Sequence, residues 1–258
     1  MSSTEFRRLA EEPLQKVLKR KALHVSLCLA LLIPLAPWFV EGGARLGLDP
    51  HQVPLLTYAV LALGAALFNS LQIRIPHYRE RLLAISREMR RRILGYLKQI
   101  APRSEGLAKQ VEEMGRVLDR VEDSLTRFIS EVEREYERKF GYIAITFALL
   151  SIALSYALFG SYVAYGIVAL AVVDSLSAVL TKLLPRPKVF KHSAWSIVIT
   201  FSVFAAVLFV GGVPLRTSLL ISLAAIVAEN LGIEDNLTLP IVTTAVAYAL
   251  HAPTPLYY

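Results

Sequence analysis

The sequence predicts an all-α membrane protein with about seven transmembrane helices and one cytoplasmic helical hairpin inserted between two groups of spans. Of its residues 55% are hydrophobic, its mean hydropathy is +0.49, and apolar runs of near 20 residues recur. A helix needs about 20 apolar residues to cross a bilayer. We divide the chain into 1–73 (an arm and two spans), 74–140 (the charged hairpin) and 141–258 (five spans carrying the candidate motifs).

The spans follow from the apolar runs and the residues that interrupt them. The first run lacks the small-residue cleavage site of a signal peptide, so we expect it to be retained as a span. The last three runs are short or flanked by glycine, and one of them could be re-entrant. The predicted spans are 22–40, 53–73, 141–159, 161–184, 194–211, 215–230 and 237–251.

The basic residues predict the orientation. Of the 28 lysines and arginines, all but Arg45 and Arg216 fall in 1–21, 74–139 and 182–191, which seven spans place on one side of the membrane. The positive-inside rule assigns that side to the cytoplasm. Topology and anionic lipid therefore explain the net charge of +7, and we expect no nucleic-acid partner.

A heptad pattern in the charged insert predicts a long helix over about 104–140. Its apolar residues are spaced alternately by four and three: Leu107, Val111, Met114, Leu118, Val121, Leu125, Phe128 and Val132. A shorter apolar stripe precedes it, beyond a turn at 101–106. We expect an antiparallel hairpin that packs on itself, with a homodimer through the heptad as the alternative.

Acidic and amide side chains interrupt the apolar sequence at two places. Asp174 lies near the middle of the fourth span, where a lone carboxylate is a functional candidate that could bind Mg²⁺ or pair with Lys21 or Lys191. The second place is the turn between the last two spans, for which a simple solvated loop is the alternative. It holds Glu229, Asn230, Glu234, Asp235 and Asn236.

Basic side chains form two groups at the same membrane face. Arg20, Lys21 and His24 project near one face of a helix and could hold phosphate or simply snorkel to the interface. The loop 182–191, which includes Lys188 and Lys191, is either a phosphate-attracting loop or a topology signal. Cations in front of carboxylates suit a divalent metal and a nucleotide polyphosphate beside a lipid, and phosphoryl transfer needs mainly positioning and charge neutralisation.

These motifs resemble a known family. The set Arg20-Lys21-x-x-His24, Asp174-Ser-Leu-Ser-Ala, Lys191, and Glu229 followed by Asp235-Asn236-Leu-Thr-Leu-Pro240 is similar to the dolichol kinase, phytol kinase and CTP-dependent diacylglycerol kinase family, which is related to the phosphatidate cytidylyltransferases. The resemblance covers spans 1 and 4–7. It implies an integral membrane enzyme that transfers the γ-phosphate of CTP, with Mg²⁺, to an isoprenoid alcohol such as dolichol or polyprenol, or to a glycerolipid, at the cytoplasmic face.

The resemblance also implies roles for the individual residues. Mg²⁺ would be held by Asp174, with Asp235 and Asn236 as further ligands or water anchors. The phosphates would be neutralised by Arg20, Lys21, Lys188 and Lys191, and the lipid hydroxyl proton would be accepted by Glu229, His24 or Asp174.

The chain departs from the family pattern at several positions. Val173 and Thr181 stand where the family usually has glycine, and Ser177 where it has alanine. The family element Lys-Ser-x-Glu-Gly-Ser reads Lys191-His192-Ser193-Ala194-Trp195-Ser196 here. Two other functions remain open: a CTP-dependent cytidylyltransferase that acts on a lipid phosphate and releases pyrophosphate, and a non-catalytic lipid-binding or transport protein.

Overall fold

The computed structural model describes residues 13–75, 78–100, 105–132 and 142–254, and most of these residues are helical. The prediction of an all-α fold is confirmed. A two-residue antiparallel pair, β1 (Lys188–Val189) and β2 (His192–Ser193), is the small exception in the described chain. The N-terminal arm before residue 13, the tip of the hairpin at 101–104 and its end at 133–141 lie outside the described residues.

The N-terminal helices are α1 (Leu14–Ala30), a 3₁₀ turn (Ile33–Leu35), α2 (Pro37–Arg45) and α3 (Gln52–Arg74). The chain bends by 51° between Leu14–Leu35 and Pro37–Arg45. The bend occurs because Ala36 is extended, as expected before a proline, and Pro37 then begins a new helix at the position where its missing N–H costs nothing.

The hairpin consists of α4 (Tyr78–Ile100) and α5 (Glu105–Val132), which run antiparallel. They approach closely at Gly115, where an added Cβ would lie 3.0 Å from Leu94 Cδ1. The two helices form the antiparallel hairpin that the sequence predicted. Three residues of the heptad, Met114, Leu118 and Val121, are nevertheless 48%, 41% and 50% exposed. Periodicity identified an apolar face but not the neighbour that faces it.

The C-terminal half begins with α6 (Ile143–Phe159), a 3₁₀ turn (Gly160–Tyr162), α7 (Val163–Ala169), a π-helical segment (Leu170–Asp174) and α8 (Ser175–Leu183). After β1 and β2 follow α9 (Ala194–Val210), α10 (Leu215–Leu231) and α11 (Asp235–Ala249). Helix α11 packs against α6, α7 and α10. Gly166 permits this packing, because a Cβ there would lie 2.5 Å from Thr244 Oγ1 and 2.6 Å from the Pro240 carbonyl.

The described residues contain two helical stretches that are long and apolar enough to cross a membrane, Gln52–Arg74 and Ile143–Leu183. The bent pair Leu14–Leu35 and Pro37–Arg45 could be a third. The predicted count of seven spans is not confirmed. Helices α9, α10 and α11 have 17, 17 and 15 residues, below the ~20 that a straight crossing needs.

The chain forms two compact units: the described residues up to Ala66 together with those from Ile143 onward, and those of Leu67–Tyr142. The first unit, called the helical body below, holds the apolar core, which includes the fully buried Ile152, Ile167, Leu170 and Ile221. Every candidate site residue in the described chain belongs to this body.

Candidate functional site

Asp174 ends the π-helical segment that connects α7 and α8. Such a segment inserts one extra residue into a helix and rotates the following side chains, and it is frequent at functional sites. Lys21 from α1 contacts both carboxylate oxygens of Asp174 at 2.7 Å. His24 Nε2, one turn further along α1, lies 3.1 Å from Asp174 Oδ2 and 3.2 Å from the Leu170 carbonyl. Of the two partners predicted for Asp174, the structure selects Lys21.

Lys191 pairs instead with Asp235. Its ammonium group donates to Asp235 Oδ1 and to the carbonyl of Gly232, so that it ties the loop after β1 to the turn before α11. Asp235 is the first residue of α11. The π-helical segment that ends at Asp174 packs against α10 and α11, which carry Glu229 and Asp235. The three carboxylates therefore lie in one region of the helical body and form one cluster.

Glu229 on α10 is the most deeply placed of these acids, with 1% of its surface exposed. Its Oε1 lies 3.2 Å from His192 Nε2, while its Oε2 has no hydrogen-bond partner among the described residues. The next residue, Asn230, donates from Nδ2 to the Ile226 carbonyl at 2.9 Å and leaves its own buried Oδ1 without a described partner. Buried acceptors nearly always have a hydrogen-bond partner. Two buried oxygens without a described partner on adjacent residues therefore indicate a position for water, a cation or substrate.

His192 and Thr181 also belong to the site, although sequence reasoning did not place them there. His192 is buried on β2, and its Nδ1 lies 3.0 Å from Thr181 Oγ1 on α8. Ser193 caps α9 by accepting from the Ser196 N–H at 3.2 Å, which fixes β2 against the helices. One signal was available in the sequence: Thr181 and His192 both depart from the family pattern, and the structure shows that they touch.

Three further predicted residues lie beside the cluster. Arg20 is half-buried on α1 next to Lys21, and Asn236 is half-buried in the first turn of α11 next to Asp235. Lys188 is exposed on β1, three residues before Lys191. Their positions suit contact with a bound phosphate.

The donor set can be tested against the Mg²⁺ that the resemblance implies. Among the described residues, no three His, Cys, Asp or Glu side chains converge on a common metal position. Mg²⁺ seldom uses such a cage, because it usually keeps several waters and binds one or two carboxylates together with substrate phosphates. The oxygen atoms of Asp174 and Asp235 fit that mode, provided that the lysines which now occupy them turn to the phosphates.

Comparison with protein-family models, with curated proteins and with solved structures gave no match. The family resemblance thus depends on the motifs quoted above, and the geometry of the cluster carries the functional conclusion.

Proposed function

We propose that the protein is a membrane-embedded kinase that transfers the γ-phosphoryl group of CTP to a lipid alcohol, with Mg²⁺ as cofactor. One observation carries the proposal. Three carboxylates, Asp174, Glu229 and Asp235, and two lysines, Lys21 and Lys191, come from distant parts of the sequence and share one cluster in the apolar helical body, with Lys191 and Asp235 at its partly exposed edge. Ionisable groups are too costly in such a place to be kept without a use.

The topology completes the proposal. A straight helix over Ile143–Leu183 would be about 60 Å long, twice the ~30 Å of a bilayer core, and Gly160 interrupts it with a left-handed φ of +60°. We count it as two crossings, and take α9, α10 and α11 as short ones, which gives seven. The basic segments then lie on the cytoplasmic side, where the site opens to nucleotide.

Each group has a chemical task in this proposal. Lys21 and Lys191 neutralise the phosphates, with Arg20 and Lys188 at the rim. A bound Mg²⁺, held by Asp174 and Asp235, would supply charge neutralisation at the transferring phosphoryl group. The open Oε2 of Glu229 accepts the proton of the lipid hydroxyl. His24 fixes the orientation of Asp174 from α1 and is the second candidate acceptor.

The proposal is tested with purified protein in lipid vesicles, Mg²⁺, and CTP labelled at the α- or γ-phosphate, offered polyprenol, diacylglycerol or phosphatidate separately. We expect γ-label in the lipid extract and α-label in CDP. Pyrophosphate with a CDP-lipid would instead identify a cytidylyltransferase, and no product with any lipid would favour a lipid-binding or transport protein.

Matched variants locate the activity. Asp235→Asn should lower turnover at least tenfold, whereas Glu234→Gln, which removes the exposed neighbouring carboxylate, should leave it unchanged. Equal effects of the two variants would remove Asp235 from the site.

A further inference from the structure

A chain of three side chains connects α8, β2 and α10 within the helical body. Thr181 Oγ1 lies 3.0 Å from His192 Nδ1, and His192 Nε2 lies 3.2 Å from Glu229 Oε1. His192 is 9% exposed and Glu229 1% exposed, so the chain is shielded from water. Side chains held in this way in a low-dielectric interior interact more strongly than they would at the surface.

The hydrogen-bond pattern assigns the protons. The Ser193 backbone N–H donates to Thr181 Oγ1 at 3.4 Å, which leaves the hydroxyl proton of Thr181 free to donate to His192 Nδ1. His192 is then the tautomer that carries its proton on Nε2, and this N–H donates to Glu229 Oε1. This tautomer gives the Thr181 hydroxyl and the His192 Nε2–H each an acceptor, and it gives Glu229 Oε1 a donor.

The second oxygen of Glu229 differs from the first in its surroundings. Oε2 is buried and has no partner in the described chain, so one oxygen of the carboxylate is held and the other is open. A proton acceptor needs this combination, since the group must be oriented before the substrate arrives and one lone pair must remain available.

We propose that His192, oriented by Thr181, is a positioning residue that holds the Glu229 carboxyl group turned so that Oε2 receives the proton of the acceptor hydroxyl. The inference rests on the proposed function. In the step itself, the hydroxyl oxygen bonds to the γ-phosphorus and the bond from that phosphorus to the β–γ bridging oxygen breaks. The hydroxyl proton passes to Glu229 Oε2, CDP leaves, and the hydrogen bond from His192 Nε2 to Oε1 persists throughout.

The kinetic test compares His192→Ala with His192→Gln, because the glutamine amide can replace the Nε2–H donor. Alanine should lower kcat about 100-fold with the KM for CTP within about twofold, and glutamine should recover kcat to within about tenfold of the unaltered protein. Thr181→Val should lower kcat about tenfold and add little to His192→Ala, because the residues act as one unit. Ser177→Ala, which removes another buried hydroxyl of α8, is the control and should change nothing.

An infrared measurement tests the inference without turnover. The difference spectrum against Glu229→Gln isolates the Glu229 band, which should have the same position in the otherwise unaltered protein and in His192→Gln, and should shift in His192→Ala, where the hydrogen bond to Oε1 is lost. If the Glu229 band has the same position in all three proteins, the inference fails, whether or not the protein is a kinase. If the infrared result holds but no lipid is phosphorylated, the proposed reaction fails while the role of His192 toward Glu229 stands.

Discussion

The protein contains two networks of opposite charges that differ in burial. In the hairpin, Arg90 lies 2.7 Å from Asp119 and 2.8 Å from Glu122, and Arg87 reaches Asp123 at 3.2 Å. The aspartates of this network are 67% and 61% exposed. In the helical body, Lys21 and Asp174 are equally close at 2.7 Å, but only 12% and 16% of their side chains are exposed.

Equal distances therefore do not mean equal roles. Exposed pairs contribute about 0–1 kcal/mol each to the free energy of unfolding, and they orient α4 against α5 with little loss of hydration. Removing a buried ion pair from water costs about as much free energy as the attraction between its two charges provides. A protein in which apolar residues of similar size replace such a pair is often as stable or more stable. Stability explains the hairpin network. It does not explain Lys21 and Asp174, which is why we assign the buried network to function.

The largest effect is expected when one partner of the buried pair is removed. Lys21→Met removes the lysine partner of the largely buried Asp174 carboxylate, which also contacts His24. We expect a loss of about 3 kcal/mol in the free energy of unfolding and no measurable lipid phosphorylation. Thermal unfolding in detergent gives the first value. A variant as stable as the parent protein would show that the pair is not desolvated.

A smaller effect is expected at Lys191, whose side chain is 37% exposed. Lys191→Met should raise the KM for CTP about tenfold, because one charge-assisted contact to phosphate is lost, while the unfolding temperature changes little. Lys182→Met, in the last turn of α8 just before the basic loop, is the control. An equal rise in KM for both variants would indicate a general charge effect of the loop.

The hairpin should respond weakly to the loss of its charges. Arg90→Gln removes contacts to Asp119 and Glu122 but should destabilise the hairpin by at most about 1 kcal/mol and leave lipid phosphorylation unchanged. Hydrogen exchange of the amides in α4 and α5 measures this directly. A loss of activity would mean that the hairpin takes part in the reaction.

The smallest effect concerns pH. Burial tends to raise the pKa of Glu122, but hydrogen bonds from Arg87 and Arg90 outweigh it and lower the pKa below the ordinary 4.5. Because the folded-state pKa is depressed, this stabilisation is complete above pH 4.5 and is lost as the pH falls through the folded-state value. Hydrogen exchange in the hairpin should accelerate in that window, and Glu122→Gln should remove the dependence.

The sequence predicted a helical fold and a lysine partner for Asp174, because apolar runs and isolated buried charges indicate them. It did not predict the pairing, since Lys21 and Lys191 are equally good partners for Asp174 on charge alone. It also missed Thr181 and His192, whose contact depends on where β2 sits against α8. The heptad spacing was identified correctly, but the exposure of Met114, Leu118 and Val121 shows that spacing alone does not identify the surface against which a helix packs.

The most direct measurement replaces both members of the buried pair, Lys21→Met with Asp174→Leu, and follows stability and γ-label transfer in the same preparation. If the pair is kept for chemistry, the double variant unfolds at or above the temperature of the parent protein and phosphorylates no lipid. A double variant that still transfers the label, or that is as unstable as Lys21→Met alone, would contradict the assignment of this cluster to function.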